Sequence, residues 1–231
     1  MLDMKLVVIA KNLNDLVTFC GLFGWMEKAK MAHVTGMLAD FEPVVNRMGR
    51  SLSSIANEKL DASMCSVFGL VHADMVFEVG SLEAFYACAM TGAVCGACGR
   101  SFSYRDNSMG YEGDTSYVWS KDWGRPNVRQ LAAGYPANPL GPCPVSTLDS
   151  SCIFFRRDLG LRFDERTFDG FHCHGEDLCL QAQSRGIPVL VPAANAWHAS
   201  PDHNGPNWGA ERDVYYHKMK AKWHQLEFVT C

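Results

Sequence analysis

Met64-Cys65-Ser66-Val67-Phe68-Gly69-Leu70-Val71-His72-Ala73-Asp74 runs from an apolar stretch directly into a polar H-x-D. A short apolar run containing Val and Phe predicts a strand in the interior of a sheet. His72 and Asp74 then stand where that central strand leaves the core. Residues i and i+2 of a strand point to the same side, so both side chains can reach one ion. Imidazole nitrogen with carboxylate oxygen suits Mn²⁺, Mg²⁺ or Zn²⁺. A plainer alternative is that the pair solvates the strand end and caps the next element.

Toward the N-terminus, Leu6 to Ala10 has two Val and an Ile and predicts a first strand buried on both faces. Pro43 to Leu60 predicts a helix from the spacing of Val44, Val45, Met48, Leu52, Ile55 and Ala56. Ser81 is placed to cap a helix with Leu82, Phe85, Tyr86 and Ala89 on one face, and Gly92 to stop it. Ala93 to Ala97 and Ser151 to Phe155 read as strands. Glu176 to Arg185 reads as a helix ended by Gly186, Ile187 to Val191 as a strand, and Glu211 to His224 as a last helix. Gly99 to Pro144 is rich in turn residues and aromatics and predicts loops with short strands. This alternation predicts an α/β fold with a mostly parallel, mixed, twisted sheet flanked by helices. Ligands of such sheets bind beyond the carboxyl ends of the strands.

The 231 residues, 48% hydrophobic and 20% charged, suit one domain with a substantial core. The formal charge of −4 gives no general field for nucleic acid or an anionic membrane. A polyanionic ligand therefore needs a local device, such as a metal ion or a helix N-terminus. No apolar run is long enough to span a membrane. The ten cysteines are scattered, several within apolar runs. They read as reduced core thiols, and a cytoplasmic location is the expectation.

Two further motifs carry chemistry. Gly175-Glu176-Asp177 opens a helix, where the dipole favours acids whatever their job. Successive helical residues diverge by about 100°, so the two carboxylates face different groups. His198 follows the strand ending at Val191 and Trp197, and can close over the same sheet edge. Taken singly, each motif also fits a structural role.

In order, strand–H-x-D, buried strand–loop–G-E-D–helix and late W-H resemble glycosyltransferases of the GT-A fold, especially family-2-like members. Asp149-Ser150-Ser151-Cys152-Ile153-Phe154-Phe155-Arg156-Arg157, with Phe163-Asp164-Glu165, is similar to the segment preceding the acid pair in that family. Asn57 matches an Asn before the metal-binding strand. The resemblance spans Leu6 to His198, with His72 standing where the family usually has its first Asp. It implies one GT-A-like domain over 1–231, with a nucleotide-binding half over about 1–98 and an acceptor-side half over about 99–231.

The resemblance further implies a metal-dependent glycosyltransferase acting on a nucleotide-sugar, UDP-type, and a carbohydrate or other hydroxyl acceptor. Mn²⁺ or Mg²⁺ would sit on Asp74 and His198, joined by His72. Asp177 is implied as the catalytic base with Glu176 beside it. Ala10, Asn12 and Asn57, with Asp40, are the candidate nucleotide contacts alongside Asp74. Trp119, Trp123 and Tyr135 are candidates for an acceptor platform, as rings cover the apolar faces of sugars. Two other classes stay open: a nucleotide-sugar-binding protein without transfer, and a metal-dependent hydrolase built on His72, Asp74, His172, His174 and His198. Cys95-Gly96-Ala97-Cys98 lacks a second pair and reads as structural thiols.

Overall fold

The computed structural model describes residues 1–10, 36–46, 49–77, 80–100, 117–119, 142–194, 196–198 and 208–223. In chain order the elements are β1 (Leu2–Ala10), β2 (Leu38–Val45), α1 (Leu52–Asp61), β3 (Val67–His72), β4 (Met75–Phe77), α2 (Ser81–Met90), β5 (Val94–Cys95) and β6 (Cys98–Arg100). There follow β7 (Tyr117–Trp119), β8 (Cys143–Pro144), β9 (Thr147–Leu148), β10 (Cys152–Arg156), α3 (His174–Gln183), β11 (Val189–Val191), β12 (Ala196–His198) and α4 (Trp208–Lys222).

A seven-stranded sheet with the order β2-β1-β3-β10-β5-β11-β8 forms the centre. β1 runs parallel to β2 and β3, and β11 runs parallel to β5. β10 is antiparallel to both its neighbours, and β8 is antiparallel to β11. This mixed α/β sheet with helices on both faces is the layered arrangement that the alternation of strands and helices predicts.

Alternation along the strands divides the core in two. Met4, Leu6, Val8 and Phe154 face α2 and its Phe85, Cys88 and Ala89. Val7, Ile9, Phe68, Ile153 and Phe155 face the other way, onto Leu52, Ile55 and Leu60 of α1 and Leu178, Cys179 and Ala182 of α3. Phe85 and Phe154 stack with centroids 4.8 Å apart. Gly69 of β3 makes room for Phe154, since a Cβ there would lie 2.5 Å from that ring.

Three expectations are corrected. Pro43–Leu60 is not one helix: Pro43, Val44 and Val45 end β2, and α1 begins only at Leu52. β2 is the sheet edge, where a Pro removes no needed ladder bond. Asn46 closes the turn by bonding Arg50 in both directions, and Ser51 caps α1 through the Ser54 N–H. The central strand starts at Val67, leaving Met64 exposed. Ser81 is the first helical residue of α2, and Gly80, in the left-handed region at φ 88°, occupies the cap.

Candidate functional site

Where β3 leaves the core, backbone hydrogen bonds fix its end. His72 N–H donates to Ser151 C=O at 2.8 Å, and Ala73 N–H to Ile9 C=O at 2.9 Å. Asp74 sits half-buried in the turn that leads into β4. β4 pairs antiparallel with β12, and the register sets His198 opposite Met75. Opposed residues of an antiparallel pair have Cα atoms about 4.5–5.5 Å apart. The backbone therefore brings His198, some 120 residues later in the chain, to within one residue of Asp74. Ala10 lies at the adjoining end of β1, where its carbonyl accepts the Asn46 N–H at 3.0 Å.

The loop 149–151 joins this strand end to the start of α3. Ser151 takes the His72 amide, as above. Ser150 Oγ accepts the Gly175 N–H at 3.2 Å and donates to Glu176 Oε2 at 3.0 Å. Gly175 is required by closeness: a Cβ there would stand 2.6 Å from Ile153 and 2.9 Å from Ser150. Cys173 precedes the helix at φ 63°, the one non-glycine in the left-handed region among the described residues. Backbone outliers of this kind concentrate at functional sites.

The two acids that open α3 have unlike surroundings. Glu176 is half-buried beside Ser150. Asp177 is fully buried. Its Oδ1 accepts the Trp223 indole N–H at 2.8 Å and faces Lys222 Nζ at 2.7 Å, while Oδ2 accepts Gln181 Nε2 at 2.8 Å. Asp177 is the residue that the resemblance implies as the base, and in this structure α4 closes over its carboxylate. Lys222 also pairs with Asp164 at 2.8 Å. Burial works against the charge of Asp164, yet the Lys222 ammonium and Thr167 hold its carboxyl far below the usual range.

His174, the first residue of α3, is fully buried, and neither ring nitrogen has a hydrogen-bond partner. Burial, with the nearby His72 and His172, pushes its pKa down to about 3 against a weaker opposing pull from Asp149. The ring of His172 lies 5.9 Å from that of Tyr215. Among the described residues no three His, Cys, Asp or Glu side chains converge as a ready cation cage.

Other predicted positions fall elsewhere. The amide of Asn57 is buried, donating to Phe163 C=O at 2.8 Å and accepting Phe163 N–H at 3.1 Å. It ties α1 to the segment before α3. Asp40 pairs with Lys5 at 2.8 Å near the start of β2, away from the carboxyl edge. Cys95 is a core thiol donating to Phe85 C=O at 3.4 Å, with its pKa raised well above normal by burial. Asn12, Trp123 and Tyr135 lie outside the described residues, and of Trp119 only the backbone, in β7, is described.

Sequence reasoning missed Ser150, Lys222 and Trp223 as parts of this arrangement. Ser150 lay within a quoted segment without a role, and the Trp223–Asp177 bond spans 46 residues, beyond any local pattern.

No family model and no curated protein sequence matches the chain. Among solved structures it is similar to A197 from STIV, at 12% identity over 86% of each chain with a TM-score of 0.45. It is similar to GalNAc-T7 with UDP, GalNAc and Mn²⁺, at 9% identity and a TM-score of 0.49, covering 86% of this chain and 44% of that one. A third is S. aureus TarS 1–349, at 13% identity and a TM-score of 0.48, covering 98% of this chain and 66% of that one. The chain thus spans less than half of the GalNAc-T7 structure. No described helix is long and apolar enough to cross a membrane.

Proposed function

We propose that this chain is a metal-dependent glycosyltransferase, moving a sugar from a UDP-type nucleotide-sugar to a hydroxyl acceptor such as a carbohydrate. One observation carries the reading: the β4–β12 register sets His198 beside Asp74 at the end of the central strand β3. Two donors of this chemistry, carboxylate and imidazole, suit Mn²⁺ or Mg²⁺, which take the rest of their shell from phosphate oxygens and water. Asp74 and His198 would hold the ion, with His72 flanking it. When bound, such an ion offsets the charge that grows on a departing diphosphate. A chain of formal charge −4 has no general positive field to do so.

The remaining work belongs to the protein's own groups. Ala10, at the end of β1, lies where a nucleotide would approach the sheet edge, with Asn12 following it in sequence. An acid at the start of α3 takes the proton of the acceptor hydroxyl as it attacks.

Binding of UDP with and without Mn²⁺, followed by thermal shift and calorimetry, tests this reading. At about 100 times Kd the wild-type chain gains roughly 2.7 kcal/mol, several degrees in Tm. Asp74→Ala should lose that gain while keeping the apo Tm within a few degrees. Equal UDP affinity in the two proteins would remove Asp74 from the site.

A further inference from the structure

The acids at the start of α3 divide the labour between them, a conclusion that rests on the transferase reading and deepens it. A general base must bring an oxygen within hydrogen-bond reach of the hydroxyl that it deprotonates. Asp177 has no exposed surface, and Trp223, Lys222 and Gln181 occupy both its oxygens. Lys222 runs on to Asp164, and Met219 of α4 packs with Phe168, Cys173 and Leu180. Reaching Asp177 would require α4 to leave this interface. Glu176, turned about 100° around the helix, is half-buried and held at Oε2 by the Ser150 hydroxyl. The same Oγ receives the Gly175 N–H, and the next carbonyl, of Ser151, receives the His72 N–H. Two residues of loop thus connect Glu176 to the strand end that is followed by Asp74, next to the Met75–His198 backbone pair.

We propose that Glu176 is the catalytic base, that Ser150 is the residue positioning its carboxylate, and that Asp177 is the ionic anchor of α4. In the step itself the acceptor hydroxyl oxygen bonds to the anomeric carbon of the donor. The bond from that carbon to the diphosphate oxygen breaks, its electron pair leaves with the nucleoside diphosphate, and the hydroxyl proton goes to Glu176. Ser150 fixes the carboxylate through one oxygen and through the first turn of α3, so it acts on the rate and not on donor affinity.

Two measurements test the assignment. The first is carboxylate labelling of the native protein with a water-soluble carbodiimide and an amine, read by mass spectrometry. Glu176 should be modified and Asp177 should not; modification of Asp177 ahead of Glu176 overturns the proposal. The second is Mn²⁺-dependent release of UDP from UDP-glucose, UDP-galactose, UDP-GlcNAc and UDP-GalNAc, with water or simple sugars as acceptor. Glu176→Gln should keep Mn²⁺-dependent UDP binding and lower kcat by about 10²–10⁴-fold. Ser150→Ala should lower kcat at unchanged KM, and Ser150→Thr should recover most of it. Asp177→Asn should lose Tm, while keeping kcat within a few-fold when assayed well below its own Tm.

Loss of turnover in Asp177→Asn with retention in Glu176→Gln overturns the assignment. Should Asp177→Asn fail to fold, the labelling result decides. A wild-type chain that binds UDP but turns over no donor removes the base role altogether. Absence of Mn²⁺-dependent UDP binding is a separate failure, that of the transferase reading itself.

Discussion

His174 shows what a single buried side chain does to the whole stability curve. Burial holds its ring neutral, with a pKa of about 3 where an exposed histidine has 6.5. Between those values the unfolded chain binds a proton that the folded chain refuses. Stability therefore rises with pH across that window and falls on acidification, by about 1.4 kcal/mol per pH unit at the steepest. Urea midpoints at pH 7 and pH 4.5 should differ accordingly, and His174→Leu should narrow the difference. Asp164 acts lower: its depressed carboxyl contributes stability that is lost only below its ordinary value of 3.8. A His174→Leu protein with an unchanged midpoint difference would show that another group governs this range. None of this was legible in the sequence, because His172-Cys173-His174 reads the same whether its rings face water or the core. Only the packing of α3 against Ser150 and Ile153 decides.

At the scale of elements, the sequence was most readable where composition and period agreed. Leu6 to Ala10 and Val67 to Val71 are apolar without interruption, and both are central strands. Pro43 to Leu60 misled because Val44 and Val45 also fall on a helical face. A prolyl residue and two β-branched neighbours at a sheet edge gave the truer signal, and Asn46 with Ser51 marked the break. Capping signals were similarly ambiguous before α2, where Gly80, with a positive φ and no side-chain cap bond, holds the position expected for Ser81. The start of α3 depends on a glycine for space, not for its dihedral angles. Gly175→Ala should push the helix away from Ser150, costing about 1–3 kcal/mol as overpacking does, and should weaken the Ser150–Gly175 bond. Chemical denaturation measures the cost; an unchanged midpoint would mean that Ile153 and Ser150 can give way freely.

Across the whole molecule, the candidate site is drawn from pieces far apart in sequence. The H-x-D, the acid pair and His198 could each be picked out, because each ends or begins an element beside turn residues. Their partners could not: nothing near Asp177 announces that Lys222 and Trp223 will close over it. Lys222→Met would leave Asp177 buried without its cation, an arrangement that costs about 3 kcal/mol. Urea unfolding should register that loss, and limited proteolysis should cut the chain before α4 sooner than in the wild type. Equal stability would show that Trp223 and Gln181 alone hold the carboxylate.

The position of β10 reaches beyond the finished structure. This strand, residues 152–156, lies between β3 and β5, both made some sixty to eighty residues earlier. A nascent chain of a hundred residues emerging from the ribosome thus has β2, β1 and β3 on one side, β5 alone on the other, and no strand to bridge them. Gly69 waits for Phe154, and the apolar side of α2 lacks the ring on which Phe85 stacks. Folding of the first half must await synthesis of the second. A frameshift or early stop after residue 100 would leave the β3 edge unpaired, a surface for chaperones to cover.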